Sequence, residues 1–386
     1  MGFKNFSTNQ PGRLIACITL LLFHLVLDDP RASQNDDFQE RVRVEIAQCF
    51  QVRYEGRRKI LKVLNPGVAE SNAFEVVLLP RDEEMPPGNS GKTVIRTPVK
   101  RYVSLSTTHL HSLQTLGVLD GLAGIARARD IGDEGLKKRL MEGSLKEVGL
   151  FQKSSLEILV DLEPEVIFIY GSGAPGEDLD HLKRLQIPVV LVSEFLESSP
   201  LGYAEWLKFF SLFFDRESVA NEVFKKVRRH YRTLKQVALS QKIKPTVFAN
   251  IPYGGTWFMP GGKSYFATIL KDAGANYLWD MAPLSGSLKL SLESVIEKAA
   301  EARVWINPGE HATLGSLRDA DPRFRIFSAL SRGQVFNMNR KSLGGVSNDY
   351  FSVGLSNPHR LIKDLIQIFH PGLLPNHEPE WYHRLR

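Results

Sequence analysis

Ser155-Leu156-Glu157 recurs as Ser291-Leu292-Glu293, and the same succession follows each copy: a helix-forming stretch, a second glutamate eight positions after the first (Glu165, Glu301), then an apolar run. The runs, Val166-Ile167-Phe168-Ile169-Tyr170 and Val304-Trp305-Ile306, read as buried strands. The correspondence continues upstream. Arg101 to Thr108 reads as a strand entering a polar loop, followed by a helix from His109 to Leu116 closed by Gly117. Its counterpart is a strand over Pro245 to Asn250, a longer loop to Gly262, and a helix from Ser264 to Ala273 closed by Gly274. Glycine after a helix supplies the left-handed stop. Strands alternating with helices of this length build parallel sheets. A chain that repeats this order folds as two α/β lobes.

Length and composition allow more than the lobes. The 386 residues correspond to two or three domains, and 43% hydrophobic content is that of a packed globule. A formal net charge of +6 favours anionic ligands only slightly. Nucleic-acid binding needs a clustered basic stripe, whereas the dense runs Arg57-Arg58-Lys59 and Lys225-Lys226-Val227-Arg228-Arg229 read as the solvated faces of a strand and a helix. No nucleic-acid partner is expected.

Residues 1–33 read as a signal segment. Lys4 and Arg13 supply positive charge, Leu14 to Leu27 is apolar, and Asp28-Asp29-Pro30 ends the run before Ala32-Ser33. Such a run is shorter than the about twenty residues that span a bilayer, so the reading is export to the periplasm or another extracytoplasmic space. Leu14-Ile15-Ala16-Cys17 has the spelling of a lipoprotein box, but the apolar run follows the cysteine, and a lipid anchor at Cys17 is not the expectation. Once Cys17 leaves with the signal, Cys49 stands alone and no intramolecular disulfide forms.

Residues 34–95 form an N-terminal β extension in this reading. Phe50 to Tyr54 and Lys59 to Leu64 alternate around Glu55-Gly56 as a hairpin does, Ala73 to Leu79 adds a strand, and Arg81 to Lys92 is an exposed loop. An N-terminal lobe over 96–200 and a C-terminal lobe over 243–386 are joined by connecting helices at 201–242. Tyr203 to Phe214 carries Trp206, Leu207, Phe209, Phe210 and Phe213, and Arg216 to Ser240 carries Val219, Val223, Phe224, Val227, Tyr231 and Leu234 at helical spacing. A helix of about 25 residues reaches roughly 37 Å, enough to pass from one lobe to the other. The fold class is therefore α/β, two Rossmann-like lobes joined by a long rigid α-helix, and large domain closure is not expected.

These features together resemble the periplasmic solute-binding proteins of ABC importers for iron-siderophores, haem and cobalamin. The likeness covers roughly Val94 to Pro371 and rests on an ordered series of short pieces. Leu105-Ser106-Thr107-Thr108-His109 comes first, with Leu116-Gly117-Val118 and Gly124-Ile125. Then come Ser155-Leu156-Glu157 with Leu162-Glu163-Pro164-Glu165, Gly261-Gly262-Lys263-Ser264-Tyr265 with Asp272-Ala273-Gly274, Ser291-Leu292-Glu293, and Gly345 to Tyr350. The resemblance implies a monomeric binding protein with no catalytic residues, no metal ligands of its own and no intrinsic cofactor. Its partners would be a small-molecule chelate and an ABC permease dimer. The resemblance also implies that Glu157 and Glu293, one per lobe, meet arginines of the permease. A carboxylate at a helix start is also favoured by the helix dipole by about 0.3–1 kcal/mol, which accounts for either glutamate on purely structural grounds.

In open α/β sheets ligands bind at the carboxyl ends of strands. The loops leaving those ends are Thr107-Thr108-His109, Tyr170 to Gly173, Tyr253 to Trp257, Asn307-Pro308-Gly309 and Lys341 to Tyr350. The candidate ligand contacts are Thr108, His109, Tyr170, Tyr253, Trp257, Arg340, Asp349 and Tyr350, although any one of these aromatics also suits a core. Arg340 beside the last loop suits an anionic chelate and equally an exposed basic turn. A ferric siderophore is the first expectation, cobalamin the second, haem the third. Haem raises the question of iron ligation by His109 with Tyr253 or Tyr350 opposite, against a simpler loop or cap role for the histidine. His109 and His111 are two apart and point to different helix faces, so they do not chelate one ion together. Gly171 to Gly176 spells GxGxxG, but Pro175, Glu177 and Asp178 oppose a pyrophosphate there. No nucleophile, base and orienter can be grouped, which disfavours an exported hydrolase on the same frame. A sensor without a permease is disfavoured by the paired glutamates.

Overall fold

A computed structural model of the chain describes residues 41–64, 74–84, 93–149, 153–171, 187–343 and 347–386. By its contacts the chain divides into Met1–Asp37 and Phe38–Arg386, and the first unit, with the signal reading placed on it, lies outside the described residues.

The second unit opens on a four-stranded sheet, β1 (Phe50–Glu55), β2 (Arg58–Val63), β3 (Phe74–Pro80) and β4 (Thr93–Thr97), in sequence order. β1 and β2 form the expected hairpin, its turn opened by Gly56 at φ 60°. β4 was not anticipated; it pairs parallel to β3. One face of the sheet, including Leu61, Val76 and Leu78, belongs to the same core as the first connecting helix.

The N-terminal lobe is an all-parallel sheet of order β7-β6-β5-β8-β9. Its strands are β5 (Tyr102–Ser104), β6 (Leu122–Ile125), β7 (Lys146–Glu147), β8 (Val166–Tyr170) and β9 (Val189–Val192). Helices α1 (Leu110–Thr115), α2 (Glu134–Met141) and α3 (Lys153–Leu162) accompany it. β8 shows why its sequence is apolar without interruption. Val166 and Phe168 enter the core shared with the connecting helices, while Ile167 and Ile169 enter a second core with Leu159 of α3.

The connection is two helices, as the segments Tyr203 to Phe214 and Arg216 to Ser240 predict, folded back on each other as a hairpin. α4 (Pro200–Phe214) is capped by Ser199, which accepts from the Gly202 amide, and ends at Asp215 in the left-handed region at φ 51°. α5 (Glu217–Leu239) follows. Both helices bridge the lobes: Leu201 and Ala204 of α4 lie in the C-terminal core and Trp206 to Phe214 in the N-terminal one, whereas α5 runs from Ala220 in the N-terminal core to Ala238 in the C-terminal one. Every residue of α4 is buried. Phe50 of β1 meets Trp206 at 5.0 Å and Phe209 at 5.5 Å, both edge-on. Burial of one such side chain contributes about 1.5–3 kcal/mol.

Charges inside this core are paired. Glu205 is fully buried, lies 2.8 Å from Lys208 one turn on, and accepts the amides of Glu45, Ile46 and Ala47. Glu197 accepts the amides of Gln48 and Cys49 and the indole N–H of Trp206. Lys59 of β2 donates to the Leu212 carbonyl and contacts Asp215 and Glu217 at the turn between α4 and α5. Segment 45–49 thus has its amides satisfied by carboxylates from the connection and its approach.

The C-terminal lobe is a sheet of order β13-β10-β15-β16-β19. β10 (Thr246–Ala249), β13 (Asn276–Tyr277), β15 (Val304–Ile306) and β16 (Val335–Asn337) are parallel, and β19 (His383–Arg384) is antiparallel to β16. The stretch expected as a loop to Gly262 is a hairpin, β11 (Pro252–Tyr253) and β12 (Thr256–Pro260), extended by β14 (Ser287–Leu290). Gly254 and Gly255, at φ 57° and 79°, make its two-residue turn, a left-handed conformation at both places that glycine adopts without steric cost. A small pair, β17 (Ser342–Leu343) with β18 (Ser347–Asn348), follows β16. The helices are α6 (Tyr265–Asp272), α7 (Leu292–Ala299), α8 (Leu314–Ala320), α9 (Ser328–Ser331) and α10 (Pro358–Phe369). Gly117 after α1 and Gly274 after α6 take φ 69° and 83°, as the repeat predicts. A Cβ on Gly274 would stand 2.8 Å from the Ala238 carbonyl, so the glycine also lets α6 close on the end of α5.

The repeat is inexact at its glutamates. Ser291 caps α7, accepting from the Ser294 amide, which places Glu293 in the first turn. α3 already includes Lys153, so Glu157 lies a full turn inside its helix. The dipole therefore favours Glu293 and not Glu157.

Candidate functional site

In each lobe the sheet order reverses beside its first strand, between β5 and β8 and between β10 and β15, and ligands of open α/β sheets bind at such points. A cleft of about 510 Å³ opens between the lobes beside these points, lined from the loops after β5 and β6 and from the segment after β16, and by no described residue of the loops after β8, β10 or β15. Thr107 after β5 and Asp130 and Asp133 after β6 line one wall, together with Leu110, His111 and Gln114 of α1. Arg340, Lys341 and Asp349 after β16, with Ser352 and Val353, line the other. His111 ties the walls together, its Nε2 accepting from Asn357 Nδ2 at 2.8 Å. Burial holds its imidazole below the ordinary value, in keeping with a neutral acceptor.

The expected contacts separate into three groups. Arg340 and Asp349 line the cleft. Arg340 is also committed to the C-terminal tail: its guanidinium bonds the Pro379 carbonyl and lies 3.5 Å from Glu378. Tyr170 is half exposed at the end of β8 and stacks on Phe195 at 4.1 Å, and Tyr253, 81% exposed, ends β11 just before the turn of the β11–β12 hairpin.

Three others are buried in the core or the floor. Trp257 is fully buried, packed in tilted and edge-on contact with Phe248, Trp305 and Phe327, and its indole donates to the Ala249 carbonyl. It lies on the inward side of β12, with Met259; Phe258 faces outward. Tyr350 is buried against Phe351 and Tyr382. His109 is wholly buried, its Nδ1 3.0 Å from Ser104 Oγ, so it is removed from any haem iron in the cleft. Gly171 is the one described residue of the GxGxxG stretch.

Beneath the cleft lies a group that the sequence reading missed. Thr108 Oγ1 donates to Glu194 Oε1 at 2.6 Å, and His109 Nε2 lies 3.8 Å from the same oxygen. Glu194 is buried in the turn after β9, and a small cavity of about 30 Å³ adjoins it. Burial pushes the Glu194 carboxyl up to about 7, and the same desolvation holds His109 down to about 3. Near neutrality the imidazole is therefore uncharged. The signal in the sequence is weak: an acidic residue two places after the apolar run Val189 to Val192.

The proton count of this pair gives a stability profile. Between about pH 4.5 and 6.5 the unfolded chain carries a proton on the histidine and the folded chain carries one on the carboxyl, so the pair adds no slope. At lower pH only the unfolded histidine holds the extra proton, and stability falls as pH drops toward 3. Above about 6.5 only the folded carboxyl does, and stability falls as pH rises toward 7. Glu194→Gln leaves the histidine alone, so the variant should gain about 2 kcal/mol relative to the parent on going from pH 5 to 6.5. Denaturant melts at those two values read the difference, and parallel curves would contradict the assignment.

Glu157 is exposed and makes no ion pair among the described residues. Glu293 is exposed too, but Arg323 Nη1 lies 3.0 Å from its Oε1. Among the described residues no group of three His, Cys, Asp or Glu side chains is placed to hold a metal ion. None of the described helices is long and apolar enough to cross a membrane.

Known proteins agree with this frame. An uncharacterised lipoprotein of Methanocaldococcus jannaschii is 29% identical over 291 residues, 72% of this chain and 67% of its own. A periplasmic haem-binding protein of Pseudomonas aeruginosa superposes with TM-score 0.56 at 16% identity, covering 75% of this chain and 98% of its own. A possible iron-binding (periplasmic solute-binding) protein of Staphylococcus epidermidis gives TM-score 0.55 at 18% identity, covering 70% and 99%. The family model described as periplasmic binding protein matches residues 103–340, and with a match over more than half its length this chain belongs to that family, whose members are binding proteins and not enzymes.

Proposed function

We propose that this protein is the solute-binding component of an ABC importer, capturing a ferric siderophore or a related metal chelate between its lobes and delivering it to a permease dimer. The observation that carries the reading is the interlobe cleft between the loops after β5 and β6 and the segment after β16, whose volume of about 510 Å³ falls within the range of small-molecule sites. A chelate brings its own iron coordination and needs charge, hydrogen bonds and aromatic surface from its receptor. The cleft supplies Lys341, Arg340 and Asp349 on one wall and Thr107 on the other, and Tyr170 and Tyr253 are exposed aromatics at the strand ends. Export by residues 1–33 belongs to the same proposal, and the lipoprotein relative supports a working position at the outer face of a membrane. Glu157 and Glu293 are the proposed permease contacts, one on each lobe.

Titration of tryptophan fluorescence with ferric siderophores, cobalamin and haem in parallel tests the ligand. A ferric siderophore should quench saturably at one equivalent and add its visible absorption to the complex. Saturation by cobalamin or haem alone would change the ligand, and no response to any of them would remove the proposal.

A further inference from the structure

Between Lys225 and Lys244 the chain carries eight lysines and arginines and no aspartate or glutamate. Part of this charge is used internally: Arg228 pairs with Glu45, Lys235 with Asp272 at 2.8 Å, and Lys225 stands 3.8 Å from Glu222. Lys226, Arg229, Arg232, Lys242 and Lys244 remain exposed and make no ion pair among the described residues. Arg229 and Arg232 lie one turn apart on the outer side of α5, and the two lysines follow in the turn after it. Apolar side chains are exposed among them: Val237 at 43%, Leu239 at 37% and Ile243, between the two lysines, at 76%.

We propose that the outer face of α5 and the turn after it form a docking surface for an anionic lipid bilayer. Cations interleaved with exposed apolar side chains match a headgroup layer, where the charges meet phosphate and the apolar groups enter the acyl boundary. An acidic protein would answer the charge but not Ile243. The inner side of α5, Val223, Phe224 and Val227, lines the small cavity under the cleft floor, so its outer side points away from the cleft. A protein resting on α5 keeps its ligand site turned to the solution. The inference takes from the proposed function only a place beside a membrane, and it is independent of the ligand.

The test places an environment-sensitive fluorophore on Ile243→Cys in the full chain with Cys17→Ser; Cys49 is buried and escapes labelling. The label should shift to the blue, and lose the shift in high salt, with vesicles containing phosphatidylglycerol but not with phosphatidylcholine alone. Reporting from position 243, it reads this face whatever the N-terminal segment does. Adding Lys226→Glu, Arg229→Glu and Arg232→Glu should lower the partition roughly a hundredfold with the chelate titration unchanged. An unmoved label, an equal shift on neutral vesicles, or undiminished partition of the charge-reversed chain overturns the proposal. A shift with soluble polyglutamate but not with vesicles assigns the face to an acidic protein instead. If the charge-reversed chain fails to fold, the comparison of vesicles with the parent still decides.

Discussion

Alanine at both Glu157 and Glu293 is expected to abolish uptake by vesicles reconstituted with the cognate importer while ligand affinity and melting temperature stay as they were. Both carboxylates are exposed and neither lines the cleft, so neither the binding site nor the core loses a contact. An exposed ion pair is worth about 0–1 kcal/mol to folding, which bounds the loss of the Glu293–Arg323 contact. That contact also makes the two sites unequal. Glu293 must exchange Arg323 for a permease arginine, whereas Glu157 makes no ion pair among the described residues to give up, so Glu157→Ala should be the more damaging single change. Normal transport by the double variant, or loss of chelate binding, would remove these residues from the docking role.

The second large effect is on stability. Glu205→Ala should lower the unfolding free energy by about 3–5 kcal/mol, the usual penalty for breaking a buried pair by removing one partner. The substitution leaves Lys208 with Glu45 at 3.3 Å as its remaining carboxylate and strips the acceptor from the amides of residues 45, 46 and 47. Urea titration measures the loss, and hydrogen exchange locates it, since those three amides should lose protection first. Gln restores an acceptor but not the charge and should recover part of the difference. A loss below about 1 kcal/mol would show that the segment is held by other contacts.

The repeated lobes were legible because a buried parallel strand writes itself as an uninterrupted apolar run, and helix ends with a left-handed residue write themselves as glycine. Gly117 and Gly274 fall where the repeat puts them. The direction of single side chains was less accessible. Trp257 and Tyr253 stand in one apparent loop, but that loop is a hairpin, and once Gly254-Gly255 is taken as its turn, alternation along β12 sends Trp257 inward and Phe258 outward. The break between the two connecting helices was legible at Asp215, but the left-handed conformation that reverses the chain there is one that glycine usually fills, so the sharpness of the turn was not. The carboxylates that order residues 45–49 left a trace, since Glu205 and Lys208 are the charged residues of an otherwise apolar helix and stand one turn apart, a spacing that foretells an internal pair. Glu194 and Thr108 are brought together from distant strands, and nothing local marks their meeting.

A helix without a polar side has to be roofed. α4 gets its roof from the N-terminal sheet, through Phe50, Leu61, Val76 and Leu78, all of which precede the stretch 103–340 that the family model matches. The far end of that stretch is cut short in the same way, since α10 contributes Leu361, Ile362, Leu365 and Ile366 to the C-terminal core beyond it. The segment by which kinship is recognised is thus smaller than the piece that can stand alone. A construction begun at residue 98 to copy the outline of the structural neighbours would bare the flank of α4 along Trp206, Phe209 and Phe213, and the exposed aromatic ridge would bind other copies of itself before it bound anything else.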